Sequence, residues 1–256
     1  MIASHRLGSG PHLVVVHGTG GDHNAWVRTA PILAEHFTLH LVDRRGRGDS
    51  GDAGAYALER EFEDVVAVVQ GISEAVHLYG HSFGGACALE AALRTPVRSL
   101  VLYEGGLKPG DLRFDAPERI AHLQALADGG RREELLVDFM THEAGVSQAD
   151  LESLRLAPSW KARVAAAHSI PRELQGLSGY ATDFDRVRRS SMRIGCLIGG
   201  ASIARRREGF AAAAQAVGAR VRVLEGQGHA AHQTAPELLA GAISDLVREL
   251  AADAAP

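Results

Sequence analysis

One tight turn constrains the fold of this chain more than any other feature. The apolar run 76–79 leads directly into Gly-His-Ser-Phe-Gly-Gly at 80–85, and an alanine-rich stretch with helical character, 82–93, follows. The glycines around Ser82 let a strand turn into a helix within few residues, because side chains there would collide with neighbouring elements. Such a turn places the Ser82 hydroxyl at a helix N-terminus, where backbone N–H groups stabilise developing negative charge. The pattern therefore predicts a nucleophilic serine above a sheet.

The rest of the chain alternates short apolar runs with longer segments of helical period. Strands are predicted at 13–16, 39–42, 76–79, 100–103, 194–198 and 221–224, with an edge strand near 2–5. Nearly continuous apolar runs are typical of parallel strands that are buried on both faces. Helices are predicted at 25–36, 58–72, 82–93, 204–217 and 236–250. This alternation indicates an α/β fold with a mostly parallel central sheet covered by helices on both faces.

One connection between two predicted strands is much longer than the others. Between the strands at 100–103 and 194–198 the chain has helical patterns at 118–127, 132–142, 148–156 and 159–167. A crossover between parallel strands needs only about a dozen residues. We therefore expect an inserted helical cap, or lid, over one end of the sheet. The predicted division is a core domain of residues 1–106 and 192–256 and a cap of residues 107–191.

A glycine-rich segment, His-Gly-Thr-Gly-Gly at 17–21, follows the strand at 13–16. A turn of this kind can bring the Thr19 N–H to face the nucleophile, where it would form an oxyanion hole with the Phe83 N–H. A plain strand-to-helix turn is the alternative for this segment taken alone. A phosphate-binding loop is disfavoured because the Walker lysine and the pattern G-x-G-x-x-G are absent.

A second glycine-rich segment, Gly-Gln-Gly-His at 226–229, follows the last predicted strand. Histidine is basic near neutral pH and can accept the proton of a serine hydroxyl, so it suits a general base. The position of His229 after the last strand singles it out among the 13 histidines. Its local competitor is His232.

These segments together resemble the α/β-hydrolase fold superfamily, and most of all small bacterial serine esterases and carbon–carbon hydrolases. The resemblance covers essentially the whole chain and is carried by HGTGG at 17–21, DRRGRGDSG at 43–51, GHSFGG at 80–85, the cap and GQGH at 226–229. It implies a triad in the order serine, acid, histidine, and Ser82 followed by His229 agrees. A serine at this turn argues against the haloalkane dehalogenase and epoxide hydrolase branches, which carry aspartate there.

The position of the triad acid does not follow the pattern of this family. The family usually has an aspartate in the loop after the strand before the last one, but here the loop 199–204 contains no carboxylate and has Ala201 at the expected place. Glu208 follows inside a helix and is predicted to face solvent. Some members carry the acid one strand earlier, which makes Glu104 the first candidate and Asp111 the second. The alternatives are a structural Glu104 and a chain that has no functional acid.

Three aromatic residues are candidates for substrate contact. Trp26 stands at the start of a predicted helix, and Phe139 and Trp160 belong to the cap. Internal packing is the alternative for each of them. The large, mostly apolar cap predicts a hydrophobic or mixed small molecule as substrate rather than a polymer. The loop 43–49 with its charged residues is expected to be structural.

Composition argues against several other classes of protein. The net charge of −4 and the short, interrupted arginine stretches, expected to be solvated, give no basic face for nucleic acid. The two cysteines lie in apolar runs, so we expect buried thiols and neither a disulfide framework nor a thiolate metal site. The sequence spacing of His, Asp and Glu residues also indicates no metal site. No cofactor is expected.

The same composition gives no indication of membrane attachment. No apolar stretch approaches the ~18 residues that span a bilayer, and the first residues lack the apolar core of a signal peptide. A cytoplasmic location without a membrane partner is therefore the default expectation. Whether the chain forms a homodimer stays open.

The predicted activity is hydrolysis of an ester, thioester or activated carbonyl bond in a small, largely hydrophobic molecule by a Ser–His–acid mechanism. The main alternative is a non-hydrolytic enzyme on the same scaffold, such as a cyclase, lyase or isomerase of secondary metabolism that uses Ser82 and His229 as acid–base groups. The missing aspartate in the loop 199–204 motivates this alternative. A ligand-binding module without chemistry is the third hypothesis.

Overall fold

A seven-stranded sheet forms the centre of the protein. The computed structural model describes residues 1–52, 54–109, 116–157 and 159–252. The strands are β1 (Ser4–Leu7), β2 (His12–Val16), β3 (Thr38–Val42), β4 (Val76–His81), β5 (Ser99–Tyr103), β6 (Ile194–Gly199) and β7 (Arg220–Leu224). Their order across the sheet is β1-β3-β2-β4-β5-β6-β7, and all neighbours are parallel except β1 and β3. The predicted α/β fold class is confirmed.

Helices surround this sheet and fill the long interval between β5 and β6. The α-helices are α1 (Ala30–Leu33), α2 (Leu58–Gln70), α3 (Phe83–Ala92), α4 (Pro117–Asp128), α5 (Arg132–His142), α6 (Gln148–Arg155), α7 (Trp160–Ala166), α8 (Ile170–Gly179), α9 (Phe184–Arg189), α10 (Ala204–Ala216), α11 (Ala231–Thr234) and α12 (Pro236–Ala252). Short 3-10 helices occupy His23–Trp26 and Ala167–Ser169. In the described part of the chain, every helix is too short or too polar to cross a lipid bilayer.

The two faces of the sheet bury separate apolar layers. Side chains alternate along a strand, so Val14 and Val16 of β2 join one layer with α2, α3 and α10, whereas Leu13 and Val15 join the other with α1 and α12. All four side chains are fully buried. Burying each one contributes about 1.5–3 kcal/mol relative to leaving it exposed. This packing holds the carboxyl ends of the parallel strands at one common edge.

The helices between β5 and β6 have an apolar cluster of their own. Leu123 of α4, Leu135 of α5 and Ile170 of α8 are fully buried within it. The four helices predicted in this interval are present as α4 to α7, and α8 and α9, which were not predicted, follow them.

The predicted helix at 25–36 is wrong. The chain instead forms the 3-10 helix His23–Trp26, whose N-cap Asp22 accepts a hydrogen bond from the Asn24 N–H at 2.8 Å, and then the short helix α1. Pro31 lies in the first turn of α1. A continuous helix is excluded there because proline has no N–H to donate and its ring clashes with the carbonyl four residues earlier.

Candidate active site

Ser82 lies at the turn between β4 and α3 in a conformation that side chains rarely adopt. Its backbone dihedral angles are φ 54° and ψ −123°, a combination that is strained for any residue other than glycine. The turn has no room for larger residues on either side: a Cβ at Gly80 would lie 2.5 Å from the Gly84 carbonyl oxygen, and one at Gly84 would lie 2.4 Å from that of Val16. The sequence therefore forms the tight turn because the glycines permit it, and the turn presents Ser82 at the start of α3.

His229 follows β7 and faces Glu104, which follows β5. The Nδ1 atom of His229 lies 2.7 Å from Oε2 of Glu104, and both residues are buried. The other carboxylate oxygen, Oε1, accepts a hydrogen bond of 2.7 Å from the Gly199 N–H. An ionised carboxylate only accepts hydrogen bonds, so Nδ1 carries the proton and Nε2 keeps the lone pair that a general base needs.

The surroundings of His229 keep its imidazole neutral. Burial lowers its pKa well below the usual 6.5, and the positive charge of Arg206 and the neighbouring His232 lower it further. A neutral imidazole is the form that accepts a proton from a serine hydroxyl. At neutral pH His229 is therefore in the protonation state that a base requires.

A second histidine, His81, holds the backbone of His229 in place. Its Nε2–H donates to the His229 carbonyl oxygen at 2.9 Å, and the two ring centroids are 4.6 Å apart. The hydroxyl of Tyr103 donates to the Gly228 carbonyl, one residue earlier. Burial, followed by the proximity of His229, lowers the pKa of His81 to about 3. Neither support was predicted from the sequence, because neither role leaves a signal in the order of residues.

The segment 17–21 passes directly over the nucleophile. A Cβ at Gly18 would lie 3.0 Å from the Ser82 Cβ, which is tighter than nearly all contacts of a real Cβ atom, so glycine favours this close approach. The Thr19 N–H makes no hydrogen bond to any described residue. Phe83 is the first residue of α3, where N–H groups have no partner within the helix. Two backbone donors are thus available beside Ser82.

Arg44 supports that segment from below. Its guanidinium donates to the His17 carbonyl at 3.1 Å and to the Gly18 carbonyl at 3.2 Å, and it lies 4.2 Å from the centre of the Phe83 ring. Arg44 therefore contacts both backbone segments that carry the candidate oxyanion donors.

Arg44 belongs to a buried group of four charges, which we call the ionic cluster: Arg44, Arg47, Glu61 and Glu173. Glu173 of α8 accepts from Arg44 at 2.8 Å and from Arg47 at 2.6 Å. Burial raises the pKa of Glu173, but the two arginines outweigh it and lower that pKa to about 2. The prediction of solvated arginines is wrong for Arg44 and Arg47, because two buried glutamates neutralise them.

Two cavities open on the Ser82–His229 region. The larger holds about 100 Å³, and its wall includes Glu104, Leu107, Lys108, Phe139, Leu174, Leu177, Tyr180, Arg205, Arg206 and Phe210. The smaller holds about 60 Å³, and its wall includes Thr19, His81, Met140, Arg163 and His232. Ser82 and His229 line both, so the two cavities meet at the candidate nucleophile and base.

The structure separates the three aromatic candidates. Phe139 lines both cavities. Trp26 is 1% exposed and packs edge-on against Tyr79, with 5.5 Å between ring centroids, inside the core. Trp160 is buried in the apolar cluster of the helices between β5 and β6, where its Nε1–H donates to Glu133 at 3.2 Å. Neither tryptophan is among the residues that line the two cavities.

The other positions considered for the triad acid are exposed or lie outside the described residues. Ala201 in the loop after β6 is exposed, and Glu208 on α10 is exposed as predicted. Asp111 lies outside the described residues. Cys87 and Cys196 are both buried and free, as expected.

Comparison with known proteins points to one family. Residues 13–242 match the model of the Alpha/beta hydrolase family. A pimeloyl-[acyl-carrier protein] methyl ester esterase from Aeromonas hydrophila is 31% identical over 168 residues, which are 63% of this chain and 65% of that protein. One from Klebsiella pneumoniae is 45% identical over 87 residues, 34% of this chain and 33% of that protein. The chain thus spans less than two thirds of the length of these relatives.

Solved structures agree over almost the whole chain. The crystal structure of an alpha/beta hydrolase from Sphaerobacter thermophilus is 32% identical, with a TM-score of 0.82 over 96% of this chain and 95% of that one. A thermophilic esterase from Thermogutta terrifontis is 21% identical, with a TM-score of 0.75 over 97% of this chain and 93% of that one. The second likeness shows the fold alone.

Proposed function

Because this chain belongs to the alpha/beta hydrolase family, we propose that it is a serine hydrolase that cleaves a carboxylic ester of a small, largely hydrophobic molecule. Ser82 is the nucleophile, His229 is the general base and Glu104 is the acid. The observation that carries this proposal is the 2.7 Å contact between His229 Nδ1 and Glu104 Oε2, beside a cavity that Ser82 also lines. It supplies the carboxylate that the loop after β6 lacks.

The reaction follows from this arrangement in two halves. Nε2 of His229 takes the hydroxyl proton as Ser82 Oγ attacks the ester carbonyl, and the N–H groups of Thr19 and Phe83 hold the oxyanion. The imidazolium then protonates the departing alcohol, leaving an acyl group on Ser82. Water attacks this acyl group with His229 again as base, which releases the carboxylic acid and restores the serine.

Glu104 matters most while His229 is charged. The same burial that keeps the imidazole neutral makes the imidazolium costly, and a carboxylate at 2.7 Å offsets that cost. Its second oxygen is fixed by the Gly199 N–H, so the carboxylate enters the reaction already oriented.

The two cavities suit the two parts of an ester. We assign the larger, mostly apolar cavity to the acyl group and the smaller one to the alcohol. Phe139 contacts both and would separate them. The relatives from Aeromonas and Klebsiella are pimeloyl-[acyl-carrier protein] methyl ester esterases, so methyl esters of dicarboxylic acyl chains such as pimeloyl are the first substrate class to test. Thioesters are the second.

The helices between β5 and β6 act in this proposal as the cap, residues 107–191, over a core of residues 1–106 and 192–256. Their separate apolar cluster supports this division, and the salt bridges of Glu173 with Arg44 and Arg47 connect the cap to the core. A cytoplasmic location and a homodimer remain predictions, to be checked by cell fractionation and by mass in solution.

The non-hydrolytic alternative was motivated by the missing aspartate, and the Glu104 contact removes that motivation. It makes a distinct prediction nevertheless: activity would survive Ser82→Ala. The serine hydrolase mechanism predicts that this variant is inactive.

The test requires no knowledge of the natural substrate. A fluorophosphonate probe is added and the intact mass is read, with Ser82→Ala as the variant and Ser73→Ala, at an exposed serine, as the matched control. We expect rapid single labelling of the parent and of Ser73→Ala and none of Ser82→Ala. Absence of labelling in the folded parent protein would contradict the proposal. Rates on p-nitrophenyl esters of increasing chain length, and on methyl esters, then define the acyl group.

A further inference from the structure

A group of four potential metal ligands lies at the β1 edge of the sheet. They are His5, His23, Asp43 and Asp49, and none of them lines either cavity of the candidate active site. We propose that these four side chains bind one Zn²⁺ ion as a structural site. The proposal is independent of the esterase function.

The four ligand atoms already lie close enough together to reach one ion. All four are within 4.8 Å of one another. Nδ1 of His23 is 2.8 Å and Nε2 of His5 is 3.1 Å from Oδ2 of Asp43, and the same His5 nitrogen is 3.3 Å from Oδ2 of Asp49. Zinc bonds of about 2.0–2.2 Å to nitrogen and oxygen place neighbouring ligands about 3.3 Å apart in a tetrahedron. Small side-chain shifts would therefore complete the site.

Asp43 is held in place by the residues that supply the other ligands. Its side chain is fully buried. The His23 N–H donates to Oδ1 at 2.7 Å, and the Asp49 N–H donates to Oδ2 at 2.9 Å. Hydrogen bonds of this kind orient a metal-binding carboxylate and keep its remaining lone pair directed at the ion. The most buried ligand is thus fixed before any metal arrives.

The chemistry of the donors selects the ion. Two neutral imidazoles and two carboxylates carry a charge of −2, which a divalent cation neutralises. Zinc accepts both imidazole nitrogen and carboxylate oxygen, whereas Ca²⁺ and Mg²⁺ prefer oxygen ligands throughout. The side chains of His5, His23 and Asp49 are 36%, 24% and 69% exposed, so an ion can enter from solvent.

The site would connect three separate parts of the chain. His5 belongs to β1, His23 opens the 3-10 helix that follows the segment 17–21, and Asp43 and Asp49 flank the loop after β3. A bound ion would anchor the edge strand to the segment beside the oxyanion donors. The expected effect is on stability rather than on chemistry at Ser82.

The experiment titrates Zn²⁺ into chelator-treated full-length protein at pH 7.5 by calorimetry. We expect one ion per chain. His5→Gln and Asp49→Asn should each weaken binding by more than about 10-fold, because loss of even an outer-shell partner costs 10–100-fold. The matched control is His12→Gln, which alters another histidine pair, His12 and His40, whose ring nitrogens are 2.9 Å apart. This control should bind zinc like the parent.

Two further readouts locate the ion. At zinc near 100 times its dissociation constant the melting temperature should rise by about 5 °C, and Ca²⁺ should not raise it. Co²⁺ in place of zinc should give the intense visible bands of tetrahedral coordination, and these should be lost in His5→Gln. Zinc binding that is unchanged in both His5→Gln and Asp49→Asn, or no binding by the folded parent, would overturn the proposal. In that case the two imidazoles serve only as hydrogen-bond donors to Asp43.

Discussion

Two buried groups of charged residues border the candidate active site, and they handle charge differently. In the ionic cluster, two arginines and two glutamates are joined by salt bridges. In the Glu104–His229 pair, the carboxylate faces an imidazole whose pKa lies well below its usual value because of burial, Arg206 and His232. In the first group, the two arginines hold the pKa of Glu173 at about 2, so Glu173 stays ionised near neutral pH, whereas burial raises the pKa of Glu61. The second is arranged so that a proton can arrive.

This difference separates a structural role from a chemical one. A buried charge is tolerated when an opposite charge and hydrogen bonds satisfy it, and such a group resists rearrangement. A buried neutral base that already donates a hydrogen bond to a carboxylate is held more strongly by it once the base becomes charged, which is the change that the proposed reaction needs. Both groups contain glutamate and are equally buried, so residue type and burial alone do not distinguish them. The partner does.

The largest effect should come from removing the charge of Glu104. Glu104→Gln keeps the size of the side chain but cannot stabilise an imidazolium, so kcat should fall by about 10²–10⁴-fold, with little change in KM. Steady-state kinetics on an activated ester measures it. Glu208→Gln, at an exposed glutamate on α10, is the matched control and should keep the parent rate. A parent-like kcat for Glu104→Gln would mean that another group stabilises the charged histidine.

The same substitution in the ionic cluster should act on stability instead. Glu173→Gln leaves Arg44 and Arg47 without their shared carboxylate, and breaking a buried pair costs about 3–5 kcal/mol of unfolding free energy. Urea denaturation measures this loss. Glu134→Gln, in the exposed pair with Arg131, should cost no more than about 1 kcal/mol. If Glu173→Gln unfolds like the parent but loses as much kcat as Glu104→Gln, the distinction between the two groups fails.

Acid should distinguish buried neutral histidines from fixed charges. Burial, then Arg44, lowers the pKa of His17 to about 3, and burial, then His229, lowers that of His81 to about 3. Below pH 6.5 these histidines bind protons in the unfolded chain but not in the native protein. The free energy of unfolding therefore falls as the pH falls. Each histidine should contribute about 1.4 kcal/mol per pH unit.

Denaturation at pH 7, 6 and 5 measures this slope. Glu173, with a pKa of about 2, stays ionised over this range and should not contribute. Burial raises the pKa of Glu61, so proton uptake by this carboxylate would oppose the slope from the histidines. His81→Gln should reduce the slope by the share of one histidine. A stability that does not change between pH 7 and pH 5 would show that these histidines can accept protons in the folded state.

The smallest effect is expected from restoring the aspartate of the family. Ala201→Asp adds a carboxylate in the loop after β6, but Nδ1 of His229 is already bound to Glu104 and Ala201 is exposed. The rate should stay within about twofold, as for a typical surface substitution. A large gain in kcat would indicate that Glu104 is a poor acid.

Much of the fold could be predicted because buried parallel strands are nearly continuous apolar runs. The strand predicted at 100–103 differs from β5 by one residue, and that at 194–198 differs from β6 by one. The helix predicted at 25–36 was wrong because apolar spacing outweighed the effect of Pro31. Hydrophobic periodicity shows which residues could be buried by a helix, but a single proline can prevent the backbone from forming that helix.

The residues of the candidate site also differ in how far the sequence could predict their positions. Ser82, His229 and Glu104 occupy strand ends, which meet at one edge of a parallel sheet, so chain order and topology suffice to bring them together. Trp26 and Trp160 were candidates for substrate contact or for internal packing, and the structure places them in apolar clusters.

The zinc ligands show the limit of spacing most clearly. His5 and Asp43 are 38 positions apart, and only the antiparallel pairing of β1 with β3, which sets Ser4 opposite Val42, makes them neighbours. No pattern within a short window of sequence could have indicated this cluster.

The position of Glu104 also bears on how such chains are sorted. A survey that recognises active members of the family by an aspartate after β6 would place this one among the degenerate copies, since Ala201 stands there. With Glu104 as the proposed acid, the loop 199–204 still contributes through its backbone, because the Gly199 N–H holds the carboxylate in place. A survey that looks for the acid only after β6 would therefore misplace this chain.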